Sequence, residues 1–168
     1  MSKRIMLSRH VLLVPAIALA VSLGGPAVAQ TTIGGAMGGF QEAPSISTAG
    51  AGSFIAGINA SETAINYQLS YSNLQGMATA AHIHLGQRGV SGGIVAFLCG
   101  GGGKPACPAS GSVTGSITAA DILALPSQGI ALGELAEVIA AIRVGVTYAN
   151  VHSDVFPSGE IRGQIRTF

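Results

Sequence analysis

At 168 residues, the chain has room for one domain with a substantial core, and 48% of its residues are hydrophobic while only 9% are charged. A formal net charge of +1 and the absence of any basic patch exclude nucleic acid as a partner. Twenty-five glycines point to short elements separated by turns.

The first element is a leader. Met1–His10 carries Lys3, Arg4 and Arg9 and no acid, Val11–Leu23 is apolar, and Ala27-Val28-Ala29 precedes Gln30. This is the layout of a secretory signal peptide with cleavage expected after Ala29, leaving residues 30–168 as the working domain. Pro15 interrupts the apolar run and Gly24, Gly25 and Pro26 follow it, so it is a poor spanning helix, which needs ~20 apolar residues. A secreted or periplasmic protein is expected, with no stable membrane insertion after cleavage. Residues 30–168 hold five bases against seven acids, a charge of about −2.

Residues 52–58 and 64–71 read as a β-hairpin joined by Asn59–Thr63. Ile65, Tyr67, Leu69 and Tyr71 alternate with small or polar neighbours, the period of a half-buried strand. Asn59-Ala60-Ser61 is a formal glycosylation sequon, read here as the turn. Further strands are expected at 79–85, 93–98, 111–117, 146–152 and 160–167. Cys99 and Cys107 bracket a glycine-rich spacer, and in an exported protein such a pair reads as a disulfide. No second cysteine pair completes a metal site. Lys104 is followed by Pro105 where a phosphate loop needs Ser or Thr.

Thr118 and Asp121 resemble a capping box opening a short helix that Pro126 ends. Leu135, Val138, Ile139 and Ile142 fall on one face of an amphipathic helix, which Gly145 stops. In the last strand Glu160, Arg162, Gln164 and Arg166 share one face, with Ile161, Gly163 and Ile165 on the other. Glu160 and Arg162 are placed to form an ion pair, which if exposed contributes only ~0–1 kcal/mol.

His82 and His84 are two residues apart, so a strand projects both from one face, opposite Ile83 and Leu85. His152 shares a face with Asn150 and Tyr148. Two readings follow. Three histidines, two in His-x-His spacing, suit a site for copper or zinc. Alternatively the rings are structural, each donating Nδ1–H to a neighbouring carbonyl, with Glu160 or Asp154 accepting from another nitrogen. No serine or cysteine nucleophile sits in a recognisable motif, so no catalytic residue is assigned.

The blocks "AHIHLGQRGVSGGIVAFL" and "TYANVHSDVFPSGEIRGQI" closely resemble the CHRD domain, the repeat first described in chordin and found in exported bacterial proteins. His82, Ile83, His84, Gly86, Gly89 and Gly92 match its first motif. Tyr148, Asn150, His152, Pro157, Gly159, Glu160, Ile161, Arg162, Gly163 and Gln164 match its second. Ser153 stands where threonine is usual, and the cysteine-bracketed insertion after Leu98 is a further departure. With "GGFQEAPSISTAGAGSF" as the opening, the resemblance covers roughly 36–168. It implies an antiparallel β-sandwich, Greek-key-like in the manner of superoxide dismutase or immunoglobulin domains, with one or two short helices. It also implies a non-catalytic binding or structural module, whose partner would be a protein or envelope component. Chordin itself sequesters bone morphogenetic proteins, and that role does not transfer by fold. The HxH strand also resembles that of copper–zinc superoxide dismutases. That enzyme needs more histidines and an aspartate, which makes a dismutase a distant third reading.

Overall fold

The computed structural model describes residues 30–168, so the expected leader lies outside the described residues. Among these residues nine strands run as β1 (Thr31–Gly38), β2 (Ala51–Ile58), β3 (Ala64–Ser72), β4 (Ala78–Leu85), β5 (Gly93–Cys99), β6 (Gly111–Thr118), β7 (Thr147–Ser153), β8 (Ile161–Gln164) and β9 (Arg166–Thr167). A single α-helix among the described residues, α1 (Leu135–Arg143), precedes β7. All pairings are antiparallel, in the order β5-β4-β7-β8-β1-β2-β3-β6, with β9 paired to β1. The hydrogen-bond ladder is therefore continuous, a single sheet where two separate packed sheets are expected. It curls until β5 and β6 lie side by side, nearly closing a barrel. Tyr67 of β3 donates its hydroxyl across that seam to the Leu98 carbonyl of β5 at 2.7 Å.

The alternating apolar positions fill the barrel. Ile33, Phe54, Ile58, Ile65, Leu69, Ile83, Leu98, Ile117, Val151 and Ile161, from eight different strands, are buried. Helix α1 covers one open end with Leu135, Val138, Ile139 and Ile142, the four residues its periodicity selects. Gly145 follows at φ +73°, the left-handed conformation that ends a helix without steric penalty. At the seam, Cys99 and Cys107 form a disulfide, Cα–Cα 5.0 Å, and Lys104 pairs with Asp121 at 2.7 Å. Asn59 holds the β2–β3 turn, its side-chain oxygen accepting from the Thr63 and Ala64 N–H groups.

Three expectations change. The helix after Thr118 is a single 3-10 turn, Ala119–Asp121, and Pro126 opens a second such turn instead of ending the first. Asp121 still accepts from the Thr118 N–H and hydroxyl. The strand expected at 160–167 is interrupted at Ile165: β8 lies between β7 and β1, and β9 continues along β1 in the same register. Strand β1 has no counterpart in the expected list. Its glycines hide it and also permit it: a Cβ on Gly34 would stand 2.3 Å from the Phe54 carbonyl oxygen, and one on Gly35 2.3 Å from that of Gln164.

Candidate functional site

The pairing of β4 with β7 sets His84 opposite Tyr148, His82 opposite Asn150, and Ala80 opposite His152. On β8, Arg162 lies opposite Asn150 and Gln164 opposite Tyr148. Alternation puts these side chains on the outer face of the sheet, away from Ile83, Val151 and Ile161. That face is nonetheless buried, because the loops at 39–46, 86–92 and 154–160 fold over it. His82 is 5% exposed and His84 7%. Strand β5 is bulged beside both histidines: Leu98 is extra between the His82–Phe97 and Ala81–Cys99 pairs, and Val95 between His84–Ile94 and Ile83–Ala96. Bulges of this kind re-aim neighbouring side chains.

The three histidines converge. One nitrogen from each ring lies within 4.8 Å of the others. His82 Nδ1 is 3.0 Å from His152 Nε2. His84 Nδ1 meets the Gly92 carbonyl at 3.0 Å, and His152 Nδ1 the Pro157 carbonyl at 2.9 Å. A carbonyl only accepts, so both Nδ1 atoms carry the proton and both Nε2 atoms present lone pairs. The His152 lone pair takes the His82 Nδ1–H. The Nε2 of His84 is buried and makes no hydrogen bond among the described residues. The carbonyls meet Nδ1 as the structural reading expects, while the carboxylates it set at another ring nitrogen turn elsewhere: Asp154 accepts from the Met77 N–H at 2.8 Å.

Burial, with repulsion from His152 and His84, holds the His82 imidazolium pKa down to about 3. Burial brings His84 to about 4, against the raising effect of the Gly92 carbonyl. His152 is lowered by burial as well, opposed by its bond to Pro157. All three rings are therefore neutral near pH 7, the form that ligates a metal.

The polar residues of β7 and β8 tie down the covering loops. The Tyr148 ring stacks on His84 (centroids 4.7 Å, 5° between planes), and the Arg162 guanidinium carbon lies 3.4 Å from its centroid. Arg162 donates to the Gln87 and Val90 carbonyls, Gln164 to those of Gly86 and Gly145, and the Tyr148 hydroxyl accepts from the Gly92 N–H. The expected Glu160–Arg162 ion pair does not form. Glu160 is fully buried and accepts from the Thr48 hydroxyl and the Gln75 N–H, both at 2.7 Å. Burial works to raise its pKa, and donors from Ser153, Thr48 and the Gln75 and Gly76 backbone outweigh that and lower it. The face read as polar is a closed hub, with Arg162 2% and Gln164 8% exposed. Arg166, beyond the break, is the one of the four that reaches solvent.

Residues 35–165 match the CHRD domain. The chain belongs to the CHRD domain family. No curated protein and no solved structure matches it. In this CHRD domain the two motifs meet in space: the first supplies His82, His84 and the Gly86–Gly92 loop, and the second supplies the side chains that pin that loop. Pro157 contributes its carbonyl to His152. Gly159, at φ +125°, sits where a Cβ would fall 2.6 Å from Asn150 Nδ2 and 2.8 Å from Glu42 Oε1. Gly163 faces β1 and belongs to the packing of the sheet.

Two participants were not singled out from the sequence. Glu42 accepts a short hydrogen bond from Asn150, and its pKa is raised to about 7 by burial, against the lowering influence of Arg162, Asn150 and the Ala43 backbone. Its signal was the Glu-Ala-Pro of the opening segment. Phe97 packs edge-on against His82, ring centroids 4.5 Å apart, and nothing in its strand marked it.

Proposed function

We propose that this protein is an exported, non-catalytic binding module whose ligand is a copper or zinc ion held by His82, His84 and His152. One observation carries the reading: His84 Nε2 is a buried lone pair with no hydrogen-bond partner among the described residues, aimed from a ring whose other nitrogen is fixed on a carbonyl. Buried polar atoms are almost always satisfied, and of the four without a partner among the described residues His84 Nε2 is the one that lies in the histidine cluster. Metal-bound histidines characteristically donate their second N–H to a carbonyl or carboxylate, and His84 and His152 both do. The 3.0 Å between His82 Nδ1 and His152 Nε2 also suits two ligands on one ion, with metal–nitrogen distances of ~2.0–2.1 Å. Export is supported by the leader pattern and by the disulfide. A non-catalytic role is supported by membership of a family without assigned catalytic residues. We read the finer architecture as Greek-key: with the two sheet edges joined, β3, β6, β5 and β4 follow one another round the barrel.

A second reading rests on that same 3.0 Å separation, which also fits a direct His82–His152 hydrogen bond within a purely structural cluster. Copper and zinc titration of tag-free protein, wild type against His84→Ala, separates the two. Stoichiometric binding by wild type that the variant loses supports the metal site. Equal, weak binding by both leaves the histidines as structural.

A further inference from the structure

We propose that the ion this site prefers is monovalent copper, Cu(I). The inference rests on the metal-site reading above and concerns which ion it takes. It starts from charge. The three donors are neutral imidazoles, and no carboxylate or thiolate among the described residues lies in the cluster with them. Asp154 turns to the Met77 N–H, the Oε1 of Glu160 to Thr48 and Gln75, Glu42 to Asn150, and the two cysteines are bonded to each other. A fixed cation stands close by instead. Arg162, almost wholly buried, covers the Tyr148 ring, and that ring stacks on His84. The register puts His84 on β4 and Arg162 on β8, on either side of Tyr148 in β7.

The desolvation penalty of an ion grows with the square of its charge, and its repulsion by Arg162 grows in proportion to that charge. A divalent ion at this position would hold two uncompensated charges beside a third. A monovalent ion carries about a quarter of the self-energy and half of the repulsion. Zinc would also need a fourth donor to complete its tetrahedron. Copper suits imidazole, and Cu(I), a filled-shell ion, is stable with two or three nitrogen ligands. The close pair His82 Nδ1 and His152 Nε2, with the lone pair of His84, supplies that number.

Metal-free, tag-free protein should be titrated with Cu(I) under ascorbate without oxygen against a chromophoric Cu(I) chelator. Parallel titrations use Cu(II) and Zn(II) against matched chelators. The expected result is Cu(I) affinity exceeding that for Zn(II) by on the order of 100-fold or more, and exceeding that for Cu(II) as well. Arg162→Met should narrow the Cu(I)/Zn(II) ratio by roughly 10-fold, a change that loss of loop packing alone would not produce. If that variant does not fold, Ag(I), a redox-inert monovalent ion, replaces it on the wild type and should compete with Cu(I) and displace Zn(II) from the site at equal concentration; failure to displace Zn(II) would overturn the preference for a monovalent ion. Zn(II) or Cu(II) binding as tightly as Cu(I) would overturn this inference and leave the metal site standing. Absence of binding by all of these ions would remove the site itself.

Discussion

His82, His84 and His152 are held neutral by their surroundings, and this ties stability to pH. Each pKa lies below the ordinary value of 6.5, at about 3 for His82 and about 4 for His84. Between those values and ~6.5 the unfolded chain binds more protons than the folded one, so stability falls as pH falls through this window. Glu42 acts the other way. Its folded pKa of about 7 lies above 4.5, so its contribution is complete below pH ~4.5 and lost as pH rises through about 7. Three histidines against one glutamate leave the histidine sign in control. Metal-free protein should therefore show a lower denaturation midpoint at pH 4.5 than at pH 7, read by urea titration. An unchanged or higher midpoint at pH 4.5 would show that the rings are not held neutral. The convergence of His82 with His84 was legible in the sequence, because strand alternation dictates it. The approach of His152 was not, since strand register is a property of the sheet. The carbonyl partners at Gly92 and Pro157 left no side-chain signal at all.

At the scale of the element, the β8 strand is the most constrained. Gly163 faces β1, where a Cβ would stand 2.5 Å from the Ala36 carbonyl oxygen and 2.8 Å from Met37 Cγ. Gly163→Val should destabilise the fold by ~1–3 kcal/mol through overpacking. Gly38→Ala is the control: it adds a Cβ that meets nothing within 4 Å, and its midpoint should stay where it is. Equal midpoints for the wild type and Gly163→Val would mean that β1 and β8 are not in contact. Eight of the nine strands among the described residues lie within or largely within the expected ranges, β8 and β9 inside a single one, because short apolar runs alternate with turn residues; helix α1 was anticipated by its 3.6-residue stripe. Strand β1 was missed because glycines dilute its alternation, and at Gly34 and Gly35 the neighbouring backbone leaves no room for a Cβ. How completely the polar face of β8 is covered was not legible for a related reason. Alternation tells inside from outside of a sheet, and cannot tell water from a covering loop.

For the whole molecule, closure of the sheet depends on the seam between β5 and β6, where the Cys99–Cys107 bond lies. Non-reduced protein should give a peptide mass with this loop closed, and reduction should lower stability by ~2–3 kcal/mol on the chain-entropy account. Free thiols at both positions in exported protein would contradict the expected compartment. The barrel in turn presents β4 and β7 side by side, which is what brings His152 to the His82–His84 pair from a distant part of the chain. Anomalous X-ray scattering at the copper edge, from crystals of copper-loaded protein, tests that point most directly. A single anomalous peak ~2.0–2.1 Å from one nitrogen each of His82, His84 and His152 is the predicted result. A peak elsewhere on the molecule, or none at this cluster, would contradict the account.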